Sequence, residues 1–130
     1  MNKKGFTLVE MIAVIMLIGV LLTLATTAVF RHMNSVKRKS AVRSAISYVT
    51  AINDYNSITE DKTLKITSGS VNNVESKLKN SYTGTKPTSG SVIISTATSH
   101  GITRYNVTRA NLVINGFTIT CLSTKCTIDN

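Results

Sequence analysis

Two patterns of apolar residues divide this chain. Between Glu10 and Arg31 lie twenty residues without a charge, and the run from Phe6 to Phe30 is made mainly of Leu, Ile, Val, Met and Ala with few polar interruptions. A hydrocarbon core about 30 Å thick needs about 20 such residues as a helix. The segment therefore predicts a membrane-spanning helix, apolar all round. Beyond it the pattern changes. Apolar residues fall at Met33, Val36, Val42, Ala45, Val49 and Ile52, in steps built from three and four, as on one face of an amphipathic helix. No Pro or Gly stands between Val20 and Gly69. One continuous helix from about Phe6 to about Asn56 follows, roughly 75 Å long at 1.5 Å per residue. Its second half has a single apolar stripe, which must cover something.

The rest of the chain reads as short elements. Asn56 to Gly69 is a polar connection without a clear period. Ser70 is placed to cap a short helix with apolar positions Val71, Val74 and Leu78. Asn80 to Gly90 holds Gly84, Pro87 and Gly90 and reads as loop. β-Branched runs follow at Val92–Ile94, Ile102–Thr108 and Leu112–Cys121, with Cys126–Ile128 as a last short strand. Ser99-His100-Gly101 is a turn candidate, and Asn115-Gly116 is either a turn or a bulge inside one long strand.

Composition narrows the class. At 130 residues the chain is one domain rather than two. One Pro and 7 Gly exclude collagen-like and Pro/Gly-rich disordered classes, and 2 Cys cannot make a disulfide-dense scaffold. Setting the apolar segment aside leaves residues 31–130, enough for one small core. From Arg31 onward 13 basic residues face 5 acidic ones, so the net charge of +9 belongs mostly to this outer part, at +8. Such a surface attracts anions. Weak contact with nucleic acid or an anionic polymer is one reading of it, and simple solubility is the plainer one. The cluster Lys37, Arg38, Lys39 and Arg43 lacks aromatic stacking partners, so a solvated or lipid-facing helix face is the better reading there.

Lys3 and Lys4 place the N-terminal end on the cytoplasmic side, whereas the cluster from Arg31 to Arg43 opposes that orientation. A secretory signal peptide cut after Thr23-Leu24-Ala25 or Thr26-Thr27-Ala28 is an alternative with poor sites. Glu10 decides more. An ionisable residue inside an apolar stretch is costly and points to function.

Lys3-Lys4-Gly5-Phe6-Thr7-Leu8-Val9-Glu10 resembles the prepilin processing site of type IV pilins and type II secretion pseudopilins. In that family a basic leader ends in Gly, a peptidase cuts after it on the cytoplasmic side, and the new N-terminal residue is N-methylated. The resemblance implies cleavage between Gly5 and Phe6, N-methylation of Phe6, and Glu10 as the fifth residue of the mature chain. Gly19 also matches a family glycine. In a helical assembly Glu10 would neutralise the amino group of a neighbour's Phe6. Many members kink this helix with a Pro. Thr27 stands at that place here, where Thr23, Thr26 and Thr27 are able to bend the helix slightly by bonding back to carbonyls. The resemblance is dense over about residues 1–30 and architectural beyond. It implies an α+β fold, with a small C-terminal antiparallel sheet packed on the second half of the long helix.

Cys121 and Cys126 enclose Leu122-Ser123-Thr124-Lys125. Opposite each other across a four-residue hairpin loop they suit a disulfide, and the alternative is two reduced, half-buried thiols. Pilins often carry a C-terminal disulfide, usually around a larger loop. His32 and His100 have no zinc-site spacing to the cysteines. No GxSxG, HExxH, P-loop or paired-carboxylate pattern is present, so no catalytic residue, metal site or cofactor is assigned. Asn106-Val107-Thr108 fits a glycosylation sequon, for which chance in a Thr- and Asn-rich strand is the better account.

The reading is then a leader over 1–5, a transmembrane and assembly helix half over 6–30, and a pilin-like globular domain over 31–130. The chain would be a pilus or pseudopilus subunit rather than an enzyme. Its partners would be other pilin subunits, the prepilin peptidase and methylase, the assembly machinery and the membrane. It would sit in the cytoplasmic membrane with its N-terminus inside, and in a surface filament after assembly. The alternative is a single-pass anchored basic module that binds an anionic ligand as a monomer.

Overall fold

A computed structural model describes residues 5–129. The leader residues before Gly5, with Lys3 and Lys4, and the last residue Asn130 lie outside the described residues. The chain divides into two units, residues 1–36 and 37–130.

Helix α1 runs Leu8–Ile58 and contributes to both. In the first unit every described side chain is exposed. Thr23, Thr26 and Thr27 each donate their hydroxyl back to a carbonyl one turn earlier, Thr23 to Val20 at 2.7 Å and Thr26 to Leu22 at 2.9 Å. These bonds hide three hydroxyls that an apolar surrounding would penalise.

In the second unit α1 buries a stripe made of Ala41, Ala45, Tyr48, Val49 and Ile52, all at 0% exposure. This stripe begins later than the sequence pattern indicates. Met33 and Val36 fit the period but are about half exposed, because the core starts only at Ala41. Tyr48 is buried instead, with its ring edge-on to Tyr82 at 4.9 Å.

A two-residue strand β1 (Gly69–Ser70) leads into helix α2 (Val71–Leu78), which buries Val71, Val74 and Leu78. Ser70 stands at the cap position with extended backbone, but its side chain makes no capping hydrogen bond. Its backbone is occupied in pairing with Ser91. Lys79 ends the helix in the left-handed region, φ 47°, where its N–H reaches the Glu75 carbonyl.

Strands β2 (Ser89–Ser99), β3 (Ile102–Ile114), β4 (Phe117–Leu122) and β5 (Lys125–Ile128) complete a five-stranded antiparallel sheet in sequence order. The sequence pattern splits β3 at Arg109-Ala110-Asn111. The structure carries one strand through it, since Ala110 fills a core position opposite Cys121. Asn115 and Gly116 form a turn, not a bulge, with φ 53° and 79°. His100 and Gly101 form another two-residue turn of the same hand. A bulge does occur, between β2 residues Ile93 and Ile94, where Thr108 is the extra residue and donates its hydroxyl to the Ile93 carbonyl.

Register sorts the two sheet faces. Gly90, Leu112, Ile119 and Ile128 form one row toward α1, and Val92, Ala110, Cys121 and Cys126 the next. The opposite face carries Ser91, Asn111, Thr120 and Thr127. The outer unit is thus an α+β, pilin-like layer of helix on antiparallel sheet.

Candidate processing and assembly site

Gly5 and Phe6 precede the helix without secondary structure, and Phe6 is 79% exposed. A Cβ added to Gly5 meets nothing within 4 Å, and neither does one added to Gly19 inside α1. Glycine in a helix interior costs about 1 kcal/mol relative to alanine. No contact among the described residues offsets that at Gly19.

Glu10 is not isolated. Its Oε2 accepts hydrogen bonds from the Thr7 backbone N–H and from the Thr7 hydroxyl, both at 2.9 Å. The Glu10 N–H points back at the Thr7 hydroxyl oxygen at 3.4 Å. Thr7 therefore caps α1, with Glu10 three residues on, a reciprocal capping box. The carboxylate also lies at the positive end of the helix dipole. Sequence reasoning fixed on Glu10 and missed Thr7. The signal was present as Thr-x-x-Glu directly before an apolar run. Both bonds go to Oε2, so Oε1 accepts none among the described residues.

The surrounding surface is apolar throughout. Leu8, Val9, Leu17, Leu21 and Phe30 are each more than half exposed. By length and composition α1 is able to cross a membrane.

In the outer unit Cys121 and Cys126 face each other across β4 and β5 and are joined by a disulfide, with Cα atoms 4.0 Å apart. The loop between them is shorter than the sequence implies. Leu122 and Lys125 pair, leaving only Ser123 and Thr124 in the turn. A second polar construction went unread in the sequence. Asn56, 2% exposed, donates its amide to the Ile66 carbonyl and accepts from the Ile66 N–H, at 3.0 and 2.7 Å. Lys65, 9% exposed, donates to the Asn56 carbonyl at 2.6 Å and lies 5.2 Å from the Tyr105 ring centre. These bonds fasten the connection that shows no period, since single polar anchors leave no periodic trace. His32 and His100 are exposed. No group of three or more His, Cys, Asp or Glu able to hold a metal occurs among the described residues.

The exposed apolar half of α1, opened by the Thr7–Glu10 capping box, leads into a helix-on-sheet layer of pilin-like architecture. The comparisons bear on the same end of the chain. A model of the prokaryotic N-terminal methylation motif matches residues 1–26. The chain is 44% identical over 39 residues to the ComG operon protein 3 homolog of Bacillus licheniformis, a match covering 30% of this chain and 40% of that relative. No solved structure matches the chain.

Proposed function

We propose that this chain is a structural subunit of a type IV pilus or a related pseudopilus. It is cut between Gly5 and Phe6, methylated on the new amino group of Phe6, and polymerised through residues 6–30. Residues 1–5 are the leader, and 31–130 form the outer domain. The subunit waits in the cytoplasmic membrane, N-terminus inside, and reaches the cell surface in the filament. Its partners are the peptidase and methylase, the assembly machinery and other subunits of the same or a related kind.

The carrying observation is the carboxylate of Glu10 at the head of a helix whose apolar first half is wholly exposed. An acidic residue costs roughly 2.5–3.5 kcal/mol on insertion scales at a helix centre, and less toward the membrane interface near which this helix begins. A plain anchor would do better with Leu. The Thr7 cap lowers that cost within one chain, and Oε1 is left for the Phe6 ammonium of a neighbour. Gly5 and Gly19 support the same reading, because no internal contact requires either. At Gly5 the missing side chain admits a peptidase to the backbone. At Gly19 it admits a second helix at close range, as small residues do between membrane helices.

The test is Glu10→Leu in the native host. Insertion and cleavage should persist, seen as membrane-bound mature protein, while sheared filaments drop severely. Removing one member of a buried charge pair costs about 3–5 kcal/mol. Normal filament yield would remove the charge pairing. Mass spectrometry of the wild-type N-terminus tests the processing separately. Methylated Phe6 is expected, and an intact Met1 in surface material would leave only a membrane anchor with a basic outer domain.

A further inference from the structure

The solvent face of α1 in the outer unit is charged at its two ends. Residues Ala41, Ala45, Tyr48, Val49 and Ile52 turn toward the core. On the opposite side lie Lys39, Arg43, Thr50 and Asp54, all exposed. Arg43 and Asp54 are eleven residues apart, three helical turns, and so share one face about 16 Å apart along the axis. Between them Ser47 and Thr50 carry only short uncharged side chains. No ion pair engages Lys39, Arg43 or Asp54 among the described residues, whereas Lys86 and Glu75 pair at 3.7 Å. Each end also borders a hollow of about 460 Å³. The one beside Arg43 is floored by Val42 and Ile128, and the one beside Asp54 by Ala51, Tyr55 and Ile58.

We infer that this face is a contact between two copies of the chain, in which Arg43 of one copy pairs with Asp54 of the next. The occupant is a second copy because the face carries both halves of the complementary pair. Domains at +8 repel one another. Close stacking of such copies favours an arrangement that sets their few acids against neighbouring cations. A parallel neighbour displaced by about 16 Å along the helix does this, with Lys39 reinforcing Arg43. Parallel alignment rests on the assembly reading above, since a filament requires every copy to meet the next in the same way. The contact is distinct from the Glu10–Phe6 pairing, since it lies in the outer unit and involves neither residue.

Charge reversal tests it in the assembling full-length protein. Arg43→Glu and Asp54→Arg should each lower sheared filament yield at least about fivefold, because like charges then meet at every repeat. Membrane-bound mature protein should stay constant. The double variant, with both signs exchanged, should restore most of the yield, and Arg43→Lys should resemble wild type. Silent single variants, or a double variant no better than the singles, would overturn the pairing while wild-type filaments still form. Failure of wild-type protein to form filaments at all would overturn the assembly reading, and the pairing with it.

Discussion

Glycines in the two units stand in opposite situations. In the outer unit, Gly84 and Gly90 have φ of 106° and 140°, and an added Cβ would collide with the Ser44 hydroxyl or the Asn111 carbonyl. Their identity is set from within. In the N-terminal unit, Gly5 and Gly19 have open space around them and no such backbone demand. Apolar residues divide the same way. Leu112 and Ile119 are at 0% exposure, whereas Leu17 and Phe30 exceed 60%. The outer unit explains its own sequence by packing. Packing among the described residues accounts for none of these positions in the N-terminal unit, where the proposed filament core or a lipid phase would. An exposed apolar surface of that size marks an interaction site.

The sharpest way to break this contrast is truncation of matched leucines. Leu112→Ala should cost the outer unit about 2–5 kcal/mol, as buried large-to-small changes do. Leu17→Ala should leave the same transition within about 0.5 kcal/mol. Chemical denaturation of the detergent-solubilised chain, followed by tyrosine fluorescence from the outer unit, reads both. Equal effects would mean that the N-terminal residues are structural after all.

Replacing Cys121 and Cys126 together by Ser should cost about 2 kcal/mol, the loop-closure value for so short a ring. Denaturation of the double variant against wild type measures it, and no loss would show that pairing of β4 with β5 already suffices.

Thr7→Val should have a smaller and purely local effect. Loss of a cap costs about 1 kcal/mol. Faster hydrogen exchange in the first turn of α1, with the outer unit unchanged, is the expected result. Unchanged exchange would mean that Glu10 does not depend on Thr7.

The smallest effect concerns alkali. Burial, then the hydrogen bond to Glu75, pushes the Tyr82 hydroxyl up to about 12. Burial pushes Tyr48 up as well. A folded value above the unfolded one, about 10, means stability present below pH 10 and lost progressively toward pH 12. Tyr82→Phe should flatten that decline in a pH series of melting temperatures, and an unchanged slope would assign it to Tyr48.

How much of this was legible depends on whether a residue's partner is near in sequence. The membrane-length helix, its threonines and the strands Val92–Ile94 and Phe117–Cys121 follow from period and composition. The junction of Thr108 and Leu112 into one strand does not. It depends on Ala110, a residue of little strand preference, being enclosed from across the sheet. The Asn56–Lys65–Ile66 anchor is invisible for a related reason, since it joins the end of a helix to an aperiodic loop. The Thr7 cap is legible as Thr-x-x-Glu directly before an apolar run, a local signal separate from the charge of Glu10.

The bond between Cys121 and Cys126 also sets how the outer unit bears load. β5 is an edge strand, and a pull on the C-terminal end of the chain would unzip it from β4 one residue at a time. Peeling that begins at Ile128 meets the covalent link at Cys126 after two residues. From there the force passes into β4, which is gripped by β3 along Arg109–Ile114 and must be sheared or torn as a unit. A pull applied beyond Ile128 thus meets a short travel and then a hard stop.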